Sequence, residues 1–351
     1  MTTGSQFGAS TSPPDPQRVQ AALREAEAMV RVDLAHGHRL FRDAIQLARA
    51  MGDRHSEALG LCLRGNTCFF TSRYLEARRW FTRALDTGQA IGDVRVQVRA
   101  LNGLGITSKV QGDCGGAMEF FLTSLRLAQE HGDEAGRGRV LGNIGVLHAE
   151  VGKYDLALEA HLEVMAVGQR LALHQIHSTG TVNVVVDYAH LGEHDRATEL
   201  AADYLPLLRE RGFLHHEVVM QTHVVLCLVE SGRSAEAPGL ARTTLVLAEE
   251  VQDHGYISML HLLLGRALHE LGDFDQACDH LKFALAGSRE REHRALERMT
   301  LQHLSQAYAS RHEWQAAYEA AEAGHRLERT LHAQDMDRRV RVLGARGKWS
   351  A

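Results

Sequence analysis

Histidine is the reactive side chain this sequence uses most freely, with 22 among 351 residues. Several stand close together: His36 and His38 in HGH, His174 with His177, His190 with His194, and the adjacent His215 and His216. An imidazole can ligate a metal or move a proton near neutral pH. A zinc site adds carboxylates or thiolates at fixed spacing, and no HExxH is present. These histidines fall near turns and on polar faces, which points to solvated rings. Cys62 and Cys68 lie six apart with no second pair to complete a tetrahedral site, so packing is their expected role.

Glycine supplies the other chemical candidate. GLGITSKVQGDCGG at 103–116 and GRGRVLGNIG at 136–145 look like phosphate cradles, and Gly152–Lys153 gives a GK pair. A dinucleotide loop needs GxGxxG between a strand and a helix, and a P-loop needs GxxxxGK followed by Ser or Thr. Neither pattern is met. GxSxG is also absent, and Glu249–Glu250 belongs to a solvated helix face. No catalytic residue, metal or cofactor is therefore expected, and the chain reads as a non-enzyme. The basic run DRRVRVLGARGK near the C-terminus suits a last helical turn, where the helix dipole favours cations, better than a nucleic-acid contact.

Bulk composition narrows the partners further. A formal net charge of −5 offers no electrostatic footprint for nucleic acid or for an anionic membrane. Nowhere do 18 uninterrupted apolar residues occur, and the first 16 residues lack the basic and apolar segments of a targeting peptide. They read as a disordered tail. Five scattered cysteines form no CxxC and no even framework, which suits a reduced, cytoplasmic protein. Five prolines and 6% aromatic residues favour helix over a many-turned sandwich or barrel.

What positions these side chains is a repeat. Shifting the sequence by 40 residues aligns Ala77, Ala117, Ala157, Ala197, Ala237, Ala277 and Ala317. A second column holds Gly112, Gly152, Gly192, Gly232 and Gly272, flanked by Ser72 and His312, and a third holds Gly65, Gly105, Gly145 and Gly265. Gly52, Gly92, Gly132 and Gly212 punctuate the joints between units. Within a unit the apolar spacing is helical on both sides of a short link, so each unit is a helix hairpin. Small residues in the first-helix glycine and second-helix alanine columns let the two backbones approach. Val185 and Val225 replace that glycine, and Ser305 does so in the last unit. Units four and five should be splayed. TVNVVVDYAH and HEVVMQTHVVLCLVE are dense in β-branched residues, yet the register makes them helices.

LRGNTCFFTSRYLEARRWFTRAL, LGITSKVQGDCGGAMEFFLTSL and LGRALHELGDFDQACDHLKFAL resemble tetratricopeptide repeats, in a 40-residue version. The resemblance implies an all-α fold: a right-handed superhelix whose first helices line the concave face. The expected layout is a tail over 1–16, capping helices or a degenerate repeat over 17–52, and a C-terminal helix extension over 333–351. Between them lie seven units at 53–92, 93–132, 133–172, 173–212, 213–252, 253–292 and 293–332. Such arrays resemble the sensor regions of bacterial signalling proteins.

Asparagines at one inner-face position of similar peptide-sensing repeats hold the ligand backbone, because one carboxamide both donates and accepts. Here that position carries Asn143 and Asn183, then His223 and His303. Arg139, Thr179, Val182, Val186, Leu226 and Arg266 fall on the same expected face, apolar at its centre and polar at its flanks. A scaffold or sensor that binds a peptide or protein segment is the function this implies. The alternative is a peptide-controlled regulator acting on a response regulator or on transcription, but the roughly 50 residues before the first unit show no helix-turn-helix reader. The long last helix resembles a linker to an output domain, so output is expected through a partner. A homodimer through Leu327, Leu331, Val340 and Leu343 is the self-association it suggests, although their spacing is not a clean heptad.

Overall fold

Every twentieth residue from Gly52 to His312 stops a helix. The residues at these positions have φ between 52° and 85°, in the left-handed region. The following N–H then reaches back across the turn, as Asp113 does to the Ser108 carbonyl at 3.0 Å, closing the helix end. Glycine fills most of these places because it lacks the Cβ that makes the conformation costly. Ser72, Ala172, Gln252, Glu292 and His312 adopt it without that freedom. Aspartate often comes next and starts the following helix. The carboxylates of Asp53, Asp93, Asp113 and Asp273 accept the N–H groups of Ser56, Val96, Gly116 and Gln276 at 2.9 to 3.2 Å.

The computed structural model describes residues 16–30 and 33–347, with side chains described to Leu331 and at Val340. Among them are sixteen helices and no strand. They are α1 (Pro16–Val30), α2 (Leu34–Ala50), α3 (Arg54–Phe70), α4 (Tyr74–Ala90), α5 (Val94–Val110), α6 (Cys114–Glu130), α7 (Glu134–Glu150) and α8 (Tyr154–Arg170). The chain continues with α9 (His174–Leu191), α10 (His194–Glu210), α11 (Leu214–Glu230), α12 (Ala237–Glu250), α13 (His254–Glu270), α14 (Phe274–Glu290), α15 (Arg294–Ser310) and α16 (Trp314–Gly347). The β-branched stretches are thus α9 and α11, as the register requires. The tail at 1–15 and the side chain of Leu343 lie outside the described residues. None of the described helices is long and apolar enough to cross a membrane.

The described residues divide into two compact units, one up to Arg137 and one from Gly138 onward, with α7 beginning in the first and ending in the second. One packing rule runs through the hairpins of both. In four of them the first-helix glycine faces a large second-helix side chain: Gly65 with Phe81, Gly105 with Phe121, Gly145 with His161, and Gly265 with Leu281. A Cβ on any of these glycines would lie 2.4 to 2.7 Å from that side chain. Where valine stands instead, the partner shrinks, so Val185 meets the Ala201 column and Val225 the Ala241 column, all fully buried. The α9/α10 and α11/α12 pairs are accordingly in close contact over less of their length than α3/α4, α5/α6 and α13/α14. In the last hairpin both members are small. Ser305 and Ala321, with Gly324, line a cavity of about 330 Å³ between α15 and α16.

The closeness lost inside the α9/α10 hairpin reappears before it. A Cβ on Gly168 would lie 2.2 Å from the His177 backbone nitrogen, and one on Gly180 would lie 2.5 Å from that of Met165. The α8 and α9 backbones therefore touch. Elsewhere, buried glutamates link one hairpin to the next: Glu57, Glu217 and Glu297 accept Arg49, Arg209 and Arg289 at 2.6 to 2.9 Å.

Candidate functional site

Forty-residue spacing places Asn143, Asn183 and His223 at one height of successive first helices and Val186, Leu226 and Arg266 at another, with Arg139 and Val182 on the same helices. Arg139 and Asn143 are on α7, Val182, Asn183 and Val186 on α9, His223 and Leu226 on α11, and Arg266 on α13. All belong to the second unit.

Exposure divides them into two sets. Val182, His223 and Leu226 are buried. Val182 and Leu226 belong to the apolar core built by α9 to α13, together with Val219, Val225 and Leu263. For these three the expected open lining becomes a packed floor, because the valine-rich α9 and α11 crowd this face. His223 completes that floor through its own helix, with Nδ1 2.8 Å from the Val219 carbonyl. Burial pushes its pKa down to about 4, so the ring is neutral at physiological pH.

Arg139, Asn143, Asn183, Val186 and Arg266 stay partly open. Asn143 donates from Nδ2 to the Arg139 carbonyl at 3.3 Å. Asn183 differs: its carboxamide has no hydrogen-bond partner among the described residues. Arg266 pairs with Glu230 at 2.7 Å, while its Nε is buried with no partner. Next to these, Tyr154 of α8 stacks on His190 of α9 at 4.5 Å between ring centroids. The surface thus offers an unused amide donor and acceptor and a charged pair above an apolar base. That suits an extended backbone with apolar side chains better than any bond-making chemistry. Among the described residues no group of three or more His, Cys, Asp or Glu converges as a metal site would.

Sequence reasoning missed the most buried polar contact here. His161 of α8 and Asp187 of α9 face each other with Nδ1 and Oδ2 2.6 Å apart, both almost fully buried. The signal lay in the columns. His161 stands where Phe81, Phe121 and Leu281 stand in other units, and Asp187 where Thr107, Leu147 and Ala267 stand.

No protein-family model matches the sequence, and no curated protein matches it either. Solved structures do. The apo form of RapI shares a TM-score of 0.64 at 13% identity, covering 79% of this chain and 99% of its own. A signal-transduction ATPase from Pyrococcus horikoshii with a tetratricopeptide repeat sensor gives 0.60 at 12%, covering 94% of this chain and 50% of its own. The fold is that of a tetratricopeptide-repeat array. A Rap protein complexed with competence and sporulation factor gives 0.60 at 11%, covering 96% and 99%. At these identities the repeat array shares with them its fold, an α-solenoid of helix hairpins.

Proposed function

We propose that this tetratricopeptide-repeat protein is a non-enzymatic, cytoplasmic sensor or scaffold of bacterial regulation. It holds a peptide or protein segment against the first-helix face of α7, α9, α11 and α13. The unpartnered Asn183 carboxamide carries the reading, since a peptide unit offers one donor and one acceptor to match it. Asn143, Arg139 and Arg266 flank it, and Val186 offers apolar contact at its side. Support for the ligand class comes from the similar Rap structure, which holds competence and sporulation factor. Output then passes to a partner, or to a second copy through α16, where Val340 is 66% exposed.

The test is affinity capture with the wild-type chain and with Asn143→Ala plus Asn183→Ala, read by mass spectrometry. A peptide or protein recovered by the wild type should be lost from the double variant, with a drop of tenfold or more, about 1–2 kcal/mol for two hydrogen-bonding side chains. Equal recovery by both would show that the asparagines do not hold the ligand.

A further inference from the structure

The His161 ring is held at both nitrogens. Nδ1 lies 2.6 Å from Asp187 Oδ2, and Nε2 lies 3.3 Å from the Gly142 carbonyl oxygen. A carbonyl only accepts, so Nε2 carries a hydrogen. A bare Nδ1 and a carboxylate oxygen would present lone pairs to each other, so a proton lies between these atoms as well. Written as imidazolium and carboxylate, or as imidazole and carboxylic acid, the pair holds the same protons and is neutral as a unit. Burial favours that neutrality, because it raises the pKa of Asp187 against the lowering effect of His161.

We propose that this shared-proton pair is the positioning device of the groove: it ties α8 to α7 beside Asn143 and to α9 one turn beyond Asn183, and so fixes the spacing of the two asparagines. Packing alone does not ask for it. Phe121 and Leu147 fill the corresponding columns one unit earlier with apolar atoms, and Phe81 and Thr107 do so with one hydroxyl. A buried His and Asp are costly by comparison, and Asp187 Oδ1 is left with no partner. What the pair adds is direction, since a hydrogen bond sets both distance and angle where methyl groups set only volume. The surroundings are built to keep it. Gly145 leaves the space that the ring occupies, a Cβ there lying 2.4 Å from Nε2. The α8 and α9 backbones touch at Gly168 and Gly180. Tyr154 lies within electrostatic reach of Asp187 and stacks on His190.

The inference rests on the groove reading only in treating Asn143 and Asn183 as ligand contacts. Its test needs no ligand: solution NMR on the full chain, labelled uniformly with nitrogen-15. A strongly downfield, slowly exchanging ring proton is expected on His161 at neutral pH and is expected to vanish in Asp187→Asn. His161→Gln should speed amide hydrogen exchange over 142–147 and 183–188 by about tenfold, since one buried partner is left unpaired. Exchange in α13 and α14 should not change. The double variant His161→Phe with Asp187→Leu copies Phe121 and Leu147 and should fold. In it the Asn143 and Asn183 side-chain amide signals should move, although the core is intact. If they stay in place, the pair is only packing and the proposal fails. It also fails if His161 shows no such proton. Neither outcome bears on whether a peptide binds, so the two readings fall separately.

Discussion

At the scale of single residues, the left-handed positions show where the sequence works against its own backbone. Nine of the helix-stopping sites at positive φ are glycine, but Ala172 sits at φ 52°. A Cβ in this conformation costs about 1–2 kcal/mol, partly offset by the freedom that glycine has when unfolded. Ala172→Gly should therefore raise stability by about 0.5–1 kcal/mol, read as an increased urea midpoint with an unchanged slope. Asn183 carries the opposite kind of signal, a polar group with capacity to spare. Its unused amide was legible in the sequence as a column position, but the absence of a partner came only from the folded neighbours.

At the scale of elements, the hairpins obey a volume rule that joins two columns 16 residues apart. Gly65 with Phe81 and Val225 with Ala241 are two solutions of one equation, and Ser305 with Ala321 leaves it unsolved. Ala321→Leu, copying Leu281, should fill part of the α15/α16 cavity. It should stabilise the chain by about 0.5–1 kcal/mol, less than a fully buried aliphatic side chain, because the cleft is open on one side and Arg298, Gln302, Gln306, His325 and Glu328 also line it. Thermal melting checks this, and a lowered Tm would mean that the cleft cannot admit the added methyl groups. The first-helix glycine column was plain from sequence because its residue type recurs. Its partner column, running Phe, Phe, His, Ala, Ala, Leu, Ala, was not, since only paired volumes recur there.

At the scale of the whole molecule, the many histidines make stability depend on pH. Burial lowers His223, His261 and His303 to about 4, against an ordinary value of 6.5. The sign follows from proton counts. Between pH 6.5 and 4 the unfolded chain takes up protons that these native rings refuse, so stability falls as pH falls through that window. His223, 4% exposed, should account for about 2 kcal/mol of loss between pH 6.5 and 5. The two half-buried rings contribute less because solvent screens them. Urea unfolding across this range should show the decline, and His223→Gln should flatten it. An unchanged slope in that variant would place the titrating groups elsewhere.

The sequence by itself determined the hairpins, their length, and the height of every candidate residue on its helix. These follow from a 40-residue period written in small residues that only close helix packing requires. It also overruled the strand propensity of α9 and α11. Tertiary structure decided which of those residues remain open. His223 shares the column of Asn183 and Leu226 that of Val186, but the crowded valine-rich helices closed over them and over Val182 while leaving the amide clear. It also decided that His161 meets Asp187. They are 26 residues apart and on different helices, and no local rule of spacing brings a ring nitrogen to a carboxylate oxygen. Periodicity fixes where a side chain starts along its helix, whereas exposure and pairing depend on the volumes of neighbours that the chain brings in from other units.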